Sequence, residues 1–177
     1  MTLSGIIPEM PETHTERRTV ASDGDIIGID PGLSGAIAML SDGKVFKIYD
    51  IPTVPIKKNK REVNYHELVA ILQSWPSKTV WLEHVSAMPG QGVTSMFNFG
   101  QTYGAIKAAC VAAGHELRFV TPAKWKKHFG LTKEKGVARQ RAMQRVPGLA
   151  DQFKRVKDDG RAEAALIAIY GAEVRNG

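Results

Sequence analysis

The chain predicts an α/β fold on a mixed five-stranded sheet, with three strands joined as antiparallel hairpins and two more following through helices. Three observations carry this. The apolar run Ile26-Ile27-Gly28-Ile29 ends on Asp30, turns through Pro31-Gly32 and resumes as a second apolar run over residues 35–40. Ser41-Asp42-Gly43 is a hairpin signal leading into the alternating Val45-Phe46-Lys47-Ile48-Tyr49. Beyond residue 63 the pattern becomes helix, strand, helix, strand and then helices, with no internal repeat and no interdomain linker. With 177 residues, 43% of them hydrophobic, the chain suits one domain with a sizeable core, taken as residues 24–177.

Residues 25–30, 35–40 and 45–49 are the hairpin-linked strands. Segment 52–62, with Pro52 and Pro55 among basic residues, reads as a loop. Asn64 caps a helix whose apolar face is Leu68, Ile71, Leu72 and Trp75, and Pro76 stops it. Residues 79–84 form a short strand ending in the acid Glu83. The loop Met88-Pro89-Gly90-Gln91-Gly92 leads into a long helix over 94–113, closed by Gly114. Gly100, Gly104, Ala108 and Ala112 fall four apart along it, a smooth stripe suited to packing on the sheet or on a partner helix. Residues 116–120 are the fifth strand. Thr121-Pro122 opens a short helix carrying Lys124, Trp125, Lys126 and Lys127. Thr132 opens another helix to Arg145, Pro147-Gly148 breaks it, and a last helix runs from near Asp159 to about Val174.

No apolar run approaches the ~20 residues of a membrane span, and the N-terminus lacks the apolar segment of a secretory signal. No membrane partner is expected. Residues 1–23 are polar and aperiodic, the pattern of a disordered or flexible leader. The single cysteine, Cys110, excludes an intramolecular disulfide and points to a reducing cytoplasm. Within Ala108-Ala109-Cys110-Val111-Ala112 it reads as a small core residue rather than a nucleophile. Net charge is +6, and its distribution matters more than its size. Residues 124–161 hold twelve basic and four acidic side chains, a local +8, which leaves −2 for the rest. Lys57-Lys58-Asn59-Lys60-Arg61 is a second basic cluster. Basic charge gathered in two places favours a polyanion, most simply nucleic acid.

Acids add the chemistry. Asp30 and Glu83 each end an apolar strand, so if the two strands are parallel neighbours their carboxylates converge at one end of the sheet. Asp159 and Glu163 are four apart and share a face of the last helix. Read singly, Asp158 or Asp159 can be a helix cap, and Glu163 can pair with Arg161 or Lys157. Read jointly, the four acids suit Mg²⁺, which takes oxygen ligands and keeps several waters. Two such ions roughly 3.5–4 Å apart clamp the attacking and leaving oxygens of a phosphodiester displacement.

Six stretches make a family resemblance specific: IGIDPGLSGAIA, VWLEHV, SMFNFGQTYGAIKAA, VTPAKWKKHFGL, TKEKGVARQRA and DDGRAEAALIAIYG, in order over roughly residues 25–172. With them the chain resembles RuvC-like Holliday-junction resolvases of the divergent sort often encoded by bacteriophages. A turn like IGIDPG also holds phosphate in sugar kinases and actin-like ATPases, but those folds need two such domains, so no nucleotide cofactor is expected.

The resemblance implies a ribonuclease H-like fold and a homodimer. It also implies a crossover junction endonuclease of DNA recombination and repair, which nicks four-way branched DNA in pairs with Mg²⁺, or with Mn²⁺ in its place. The setting it implies is the cytoplasm of a bacterial cell or a phage-infected host. Carried residue by residue, Asp30 and Glu83 match the family's first two metal-ligating acids and Glu163 the last. The remaining acid of the better-known bacterial members falls on Gly160 here, and the DGRAEA form offers Asp159 instead, with Asp158 as fallback. Lys126 matches a lysine near the scissile phosphate and Lys135 a second basic DNA contact. Asp30, Glu83, Asp159, Glu163 and Lys126 are thus expected to carry catalysis. Lys57, Lys58, Lys60, Arg61, Lys124, Lys126, Lys127, Lys133, Lys135 and Arg139 are expected to hold DNA.

The family's aromatic wedge, three positions after the second acid, is Ser86 in this chain. Met88, Phe97 or Phe99 are its possible substitutes, with core packing the expected role of both phenylalanines. His84 is read as a core residue or one behind the metal ligands, and Trp125 as the anchor of its helix. The alternatives are another ribonuclease H-like nuclease acting on RNA–DNA hybrid, flap or ribosomal RNA precursor, and a non-catalytic junction-binding protein.

Overall fold

A computed structural model describes residues 25–58, 60–75, 78–86, 90 and 92–175. The leader expected at 1–23, the helix stop at Pro76 and the candidate wedge Met88 lie outside the described residues. Strands β1 (Ile26–Asp30), β2 (Ala36–Ser41) and β3 (Lys44–Asp50) form an antiparallel meander. Next come β4 (Thr53–Lys57), β5 (Lys60–Val63), α1 (Tyr65–Gln73), β6 (Thr79–Glu83), α2 (Val93–Ala112) and β7 (Glu116–Val120). Helices α3 (Pro122–His128) and α4 (Val137–Arg145), two short 3-10 segments and α5 (Asp159–Arg175) complete the order. The main sheet runs β3-β2-β1-β6-β7, with β6 parallel to β1 and β7 parallel to β6. This is the expected mixed five-stranded sheet, and it puts the chain's first strand at its centre.

Side chains alternate across β1 and sort into two cores. Ile27 and Ile29 pack with Ile37, Val80 and Leu82 under Leu68 and Leu72 of α1 and Ile106 and Cys110 of α2. Ile26 faces the other way, with Ala38, Leu40 and Trp81, toward Trp125, Phe153 and the apolar side of α5. The second face is packed at backbone distance. A Cβ placed on Gly28 would lie 2.3 Å from the Ala168 nitrogen and 2.4 Å from the Ala164 carbonyl oxygen. Helix α5 therefore rests on β1 at Gly28 with no side chain between the two backbones. Farther along α5, Glu173 binds both His128 of α3 and Arg145 of α4, tying the three helices together.

Four local expectations are corrected. The segment expected as a loop over 52–62 instead contains β4 and β5, which pair as a separate ribbon. Pro55 stands opposite Arg61 beside a register shift, a position tolerated because a two-stranded ribbon has free edges that need no N–H there. Helix α4 starts at Val137, not Thr132. The Thr132 hydroxyl accepts from the Glu134 N–H in a local turn, and Gly136 at φ 82° makes the left-handed bend before the helix. The stripe Gly100, Gly104, Ala108 and Ala112 is exposed rather than packed on the sheet, because Thr102, Ile106, Ala109 and Cys110 form the buried face of α2. Phe97 lies on the outer side too, 65% exposed, and is not a core residue.

Replacing Gly28 with Ala should destabilise the fold by about 3 kcal/mol, since overpacking that meets backbone has nowhere to relax. Gly148→Ala, with open space at its Cβ, should leave stability within about 0.5 kcal/mol of wild type. Paired denaturant melts check both; equal midpoints would refute the seating of α5 on β1.

Candidate metal centre

Asp30 is the last residue of β1 and Glu83 the last of β6. The parallel register Ile29↔Leu82 places them side by side at one end of the sheet. The seating of α5 then brings in Glu163. A Cβ on Gly160, one turn before it, would lie 2.4 Å from the Ser34 carbonyl oxygen and 3.1 Å from Asp30 Oδ2, so this helix end is pressed onto the turn after β1. Among the described residues, Asp30, Glu83 and Glu163 form a cluster whose ligating oxygens all lie within 4.8 Å of one another.

Two neighbours hold the acids in place. Trp125, fully buried, donates its indole N–H to Glu83 Oε1 at 2.8 Å. The anchor of α3 is thereby also the orienting partner of a candidate ligand. Lys126, the next residue, sets its ammonium 3.0 Å from Glu163 Oε1. One ammonium does not balance three carboxylates. Burial first, then the charges of Glu163 and Glu83, push the Asp30 carboxyl from its ordinary 3.8 up to about 8. Burial likewise raises Glu83, although the Trp125 hydrogen bond opposes it. An oxygen-only donor set whose Asp30 carboxyl is pushed up by burial and by its neighbours' charge fits a hard divalent cation.

The two other acids are placed elsewhere. Asp159 shares a groove with Glu163, but its Oδ1 accepts from Arg139 Nε at 2.7 Å and it is not in the cluster. The four-residue spacing put both acids on one helical face, and a partner 20 residues away decides where this one points. Asp158, the fallback, is 1% exposed and is not in the cluster either. It accepts from the Arg155 backbone and guanidinium, which hold its carboxyl below the usual range.

Of the cations expected to hold DNA, Lys126, Lys127, Lys133 and Lys135 line a groove of about 740 Å³ that opens beside Glu163. Lys124 is exposed on α3. Lys57, Lys58, Lys60 and Arg61 are exposed on the β4–β5 ribbon. Arg61 Nη2 donates to Ser34 Oγ at 2.8 Å, so the ribbon is fastened to the turn that follows Asp30. No local signal marks that link, because 27 residues separate its ends. Arg139 is committed to Asp159 and to the Lys154 carbonyl. His84 is exposed, with its ring edge-on to Phe119, and so is not a core residue: it lies one position past the end of β6. Cys110 is buried, and burial pushes its thiol up to about 12, far from a nucleophile's range. Ser86 is exposed, beside Phe99 and Met96 in a shallow groove.

Solved structures share this architecture. The T. thermophilus RuvC in complex with Holliday junction substrate superposes with a TM-score of 0.61 at 18% identity, covering 86% of this chain and 96% of that one. A second Thermus thermophilus RuvC structure gives 0.56 at 16% identity, covering 85% and 96%.

The fold is that of RuvC. No protein-family model matches the chain, and no curated protein matches it in sequence. The RuvC-like fold is thus recognised through tertiary structure and through short motifs, not through overall sequence similarity. Among the described residues, no helix is long and apolar enough to cross a membrane.

Binding of Mg²⁺ or Mn²⁺ should release about one proton near pH 7, because Asp30 sheds its proton to ligate. Affinity should therefore fall as pH drops below about 8. In the metal-free protein the folded-state value of Asp30 lies above the unfolded one, so stability should fall as pH rises from about 4 to about 8. Asp30→Asn should remove both effects and raise the metal-free melting temperature by roughly 2–4 °C per kcal/mol relieved. Calorimetric titration in buffers of different ionisation enthalpy, with thermal melts across pH, measures this. Proton-independent binding would refute the shared carboxylate site.

Proposed function

We propose that the protein is a metal-dependent endodeoxyribonuclease that resolves Holliday junctions, using Mg²⁺, with Mn²⁺ able to substitute. The observation that carries this is the convergence of Asp30, Glu83 and Glu163 beside Lys126, at the mouth of a lysine-lined groove on a RuvC-like sheet. Asp30, Glu83 and Glu163 would hold the ion. When bound it supplies Lewis-acid stabilisation as a water oxygen bonds to phosphorus and the P–O3′ bond breaks, leaving a 5′ phosphate and a 3′ hydroxyl.

The chain's own groups do the rest. Trp125 fixes the Glu83 carboxylate, removing rotamers that would point away from the ion. Lys126 orients Glu163 and offers its ammonium to a non-bridging oxygen of the scissile phosphate. The groove lysines and the ribbon cations Lys57, Lys58, Lys60 and Arg61 grip phosphates without reading bases, so affinity should fall steeply with salt.

Paired nicks call for paired sites. Helix α2, 20 residues and so about 30 Å long, turns Val93, Phe97, Gly100, Gly104 and Val111 to solvent at alternating steps of three and four, with Gly104 to Val111 one full heptad. A second copy of the chain on this face, related by a twofold axis, would give the near-twofold symmetry of a four-way junction. Phe97, exposed and on the same face, suits a twofold contact as well as it suits junction opening.

An end-labelled four-way junction, a linear duplex and an RNA–DNA hybrid of matching sequence, each with Mg²⁺ or EDTA, separate the readings. Symmetric Mg²⁺-dependent nicks confined to the junction are expected, with Asp30→Asn losing more than about a hundredfold in rate. Preferred cutting of the hybrid would move the protein to another ribonuclease H-like branch. Tight junction binding with no cutting would leave a binding protein.

Phe97→Asp with Val111→Asp should convert a dimer into a monomer in sedimentation and turn paired nicks into single ones. A wild type that sediments as a monomer on the junction would end the dimer proposal.

A further inference from the structure

Resting on that nuclease reading, we propose that Asp159 is a positioning residue rather than a metal ligand. It clamps Arg139, and Arg139 props the segment 132–136 so that Lys133 and Lys135 face the groove beside Glu163.

The guanidinium of Arg139 touches three separate parts of the chain. Its Nε donates to Asp159 Oδ1 at 2.7 Å, at the first residue of α5. Its Nη1 donates to the Lys154 carbonyl at 3.2 Å, just past the first 3-10 segment, Pro147–Phe153. Its Nη2 lies against Gly136, where a Cβ would sit 2.9 Å away. The side chain of Arg139 is 17% exposed, so these contacts occupy a mostly covered group rather than a waving surface cation.

Among the described residues, the segment between α3 and α4 is held by the Thr132 turn to Glu134 and by backbone bonds at either end. Yet this segment carries Lys133 and Lys135, which line the groove with Lys126, Asp159 and Glu163. Gly136, at φ 82°, is the pivot into α4, and the guanidinium closes over that pivot. An aspartate at 159 is thus one link from two groove lysines, while the metal cluster forms without it. Arg139 is read as acting on DNA through those lysines, since its Nε and Nη1 donate to Asp159 and Lys154 and its Nη2 faces Gly136.

The test compares wild type with Asp159→Asn, Arg139→Gln, the double variant and the swap Asp159→Arg with Arg139→Asp. Amide hydrogen exchange over 132–137 is followed in each, together with Mg²⁺ affinity by calorimetry and four-way-junction binding against salt in EDTA. Each single change should speed exchange in that segment roughly fivefold or more. It should also weaken junction binding roughly tenfold and lower the salt slope by about one. Mg²⁺ affinity should stay within about twofold, unlike in Asp30→Asn. The double variant should be no worse than either single one, and the swap should recover part of the loss.

A tenfold or greater loss of Mg²⁺ affinity in Asp159→Asn would make Asp159 a ligand and overturn the inference. Unchanged exchange over 132–137 would overturn it equally. Wild type that binds no junction would remove the nuclease reading, and that result differs from both because exchange and Mg²⁺ binding do not depend on DNA.

Discussion

Helix α5 lies on β1 at backbone contact, and the rest of the site follows from that. Gly28 on the strand and Ala164 and Ala168 on the helix leave no side chain between the two backbones. At one end of the same line Gly160 meets the turn after β1, and at the other Gly171 meets the Trp81 ring. A helix that cannot rise or slide delivers Glu163 to carboxylates whose positions the sheet has already set. Interiors packed this tightly tolerate no intermediate spacing, so one added methyl group at Gly28 bears on the site as well as on stability.

The site so assembled is electrostatically unfinished as a protein-only object. Three carboxylates converge with one ammonium and one indole N–H, and burial together with the neighbouring charges pushes the Asp30 carboxyl up to about 8. Strain of this kind persists where surrounding structure over-determines the geometry, as the α5 seating does here. A divalent ion would replace the proton and turn mutual repulsion into ligation. Lys126 and Trp125 are adjacent on a short helix anchored by the buried indole, so neutralising charge and orienting hydrogen bond arrive together.

Two basic surfaces flank the centre, each linked to a neighbouring element by an arginine side chain. The β4–β5 ribbon is joined to the turn after Asp30 by Arg61 and Ser34. The lysine segment before α4 is joined to the start of α5 by Arg139 and Asp159. In both cases an arginine expected to meet DNA meets the protein first. The free lysines around it then have a fixed frame, which lowers the entropy lost on gripping a phosphate backbone.

By itself the sequence determined the five strands of the main sheet in chain order, the acids that end β1 and β6, the capping of α1 by Asn64 and the start of α5 near Asp159, because each is written in a short stretch of apolar periodicity or capping chemistry. Its motifs also pointed to the RuvC-like fold at an identity where whole-chain matching found nothing. Tertiary structure alone decided which acids meet. Asp159 shares a helical face with Glu163, yet Arg139, 20 residues away, holds it outside the cluster, while Asp158 is held by Arg155 three residues before it. The outward stripe of α2 and exposed Phe97 and His84 were decided in the same way. The physical reason is common to all of them. Periodicity says which side chains share a face and where an element stops, but a face becomes inside or outside, and a charge finds its partner, only through residues distant in sequence.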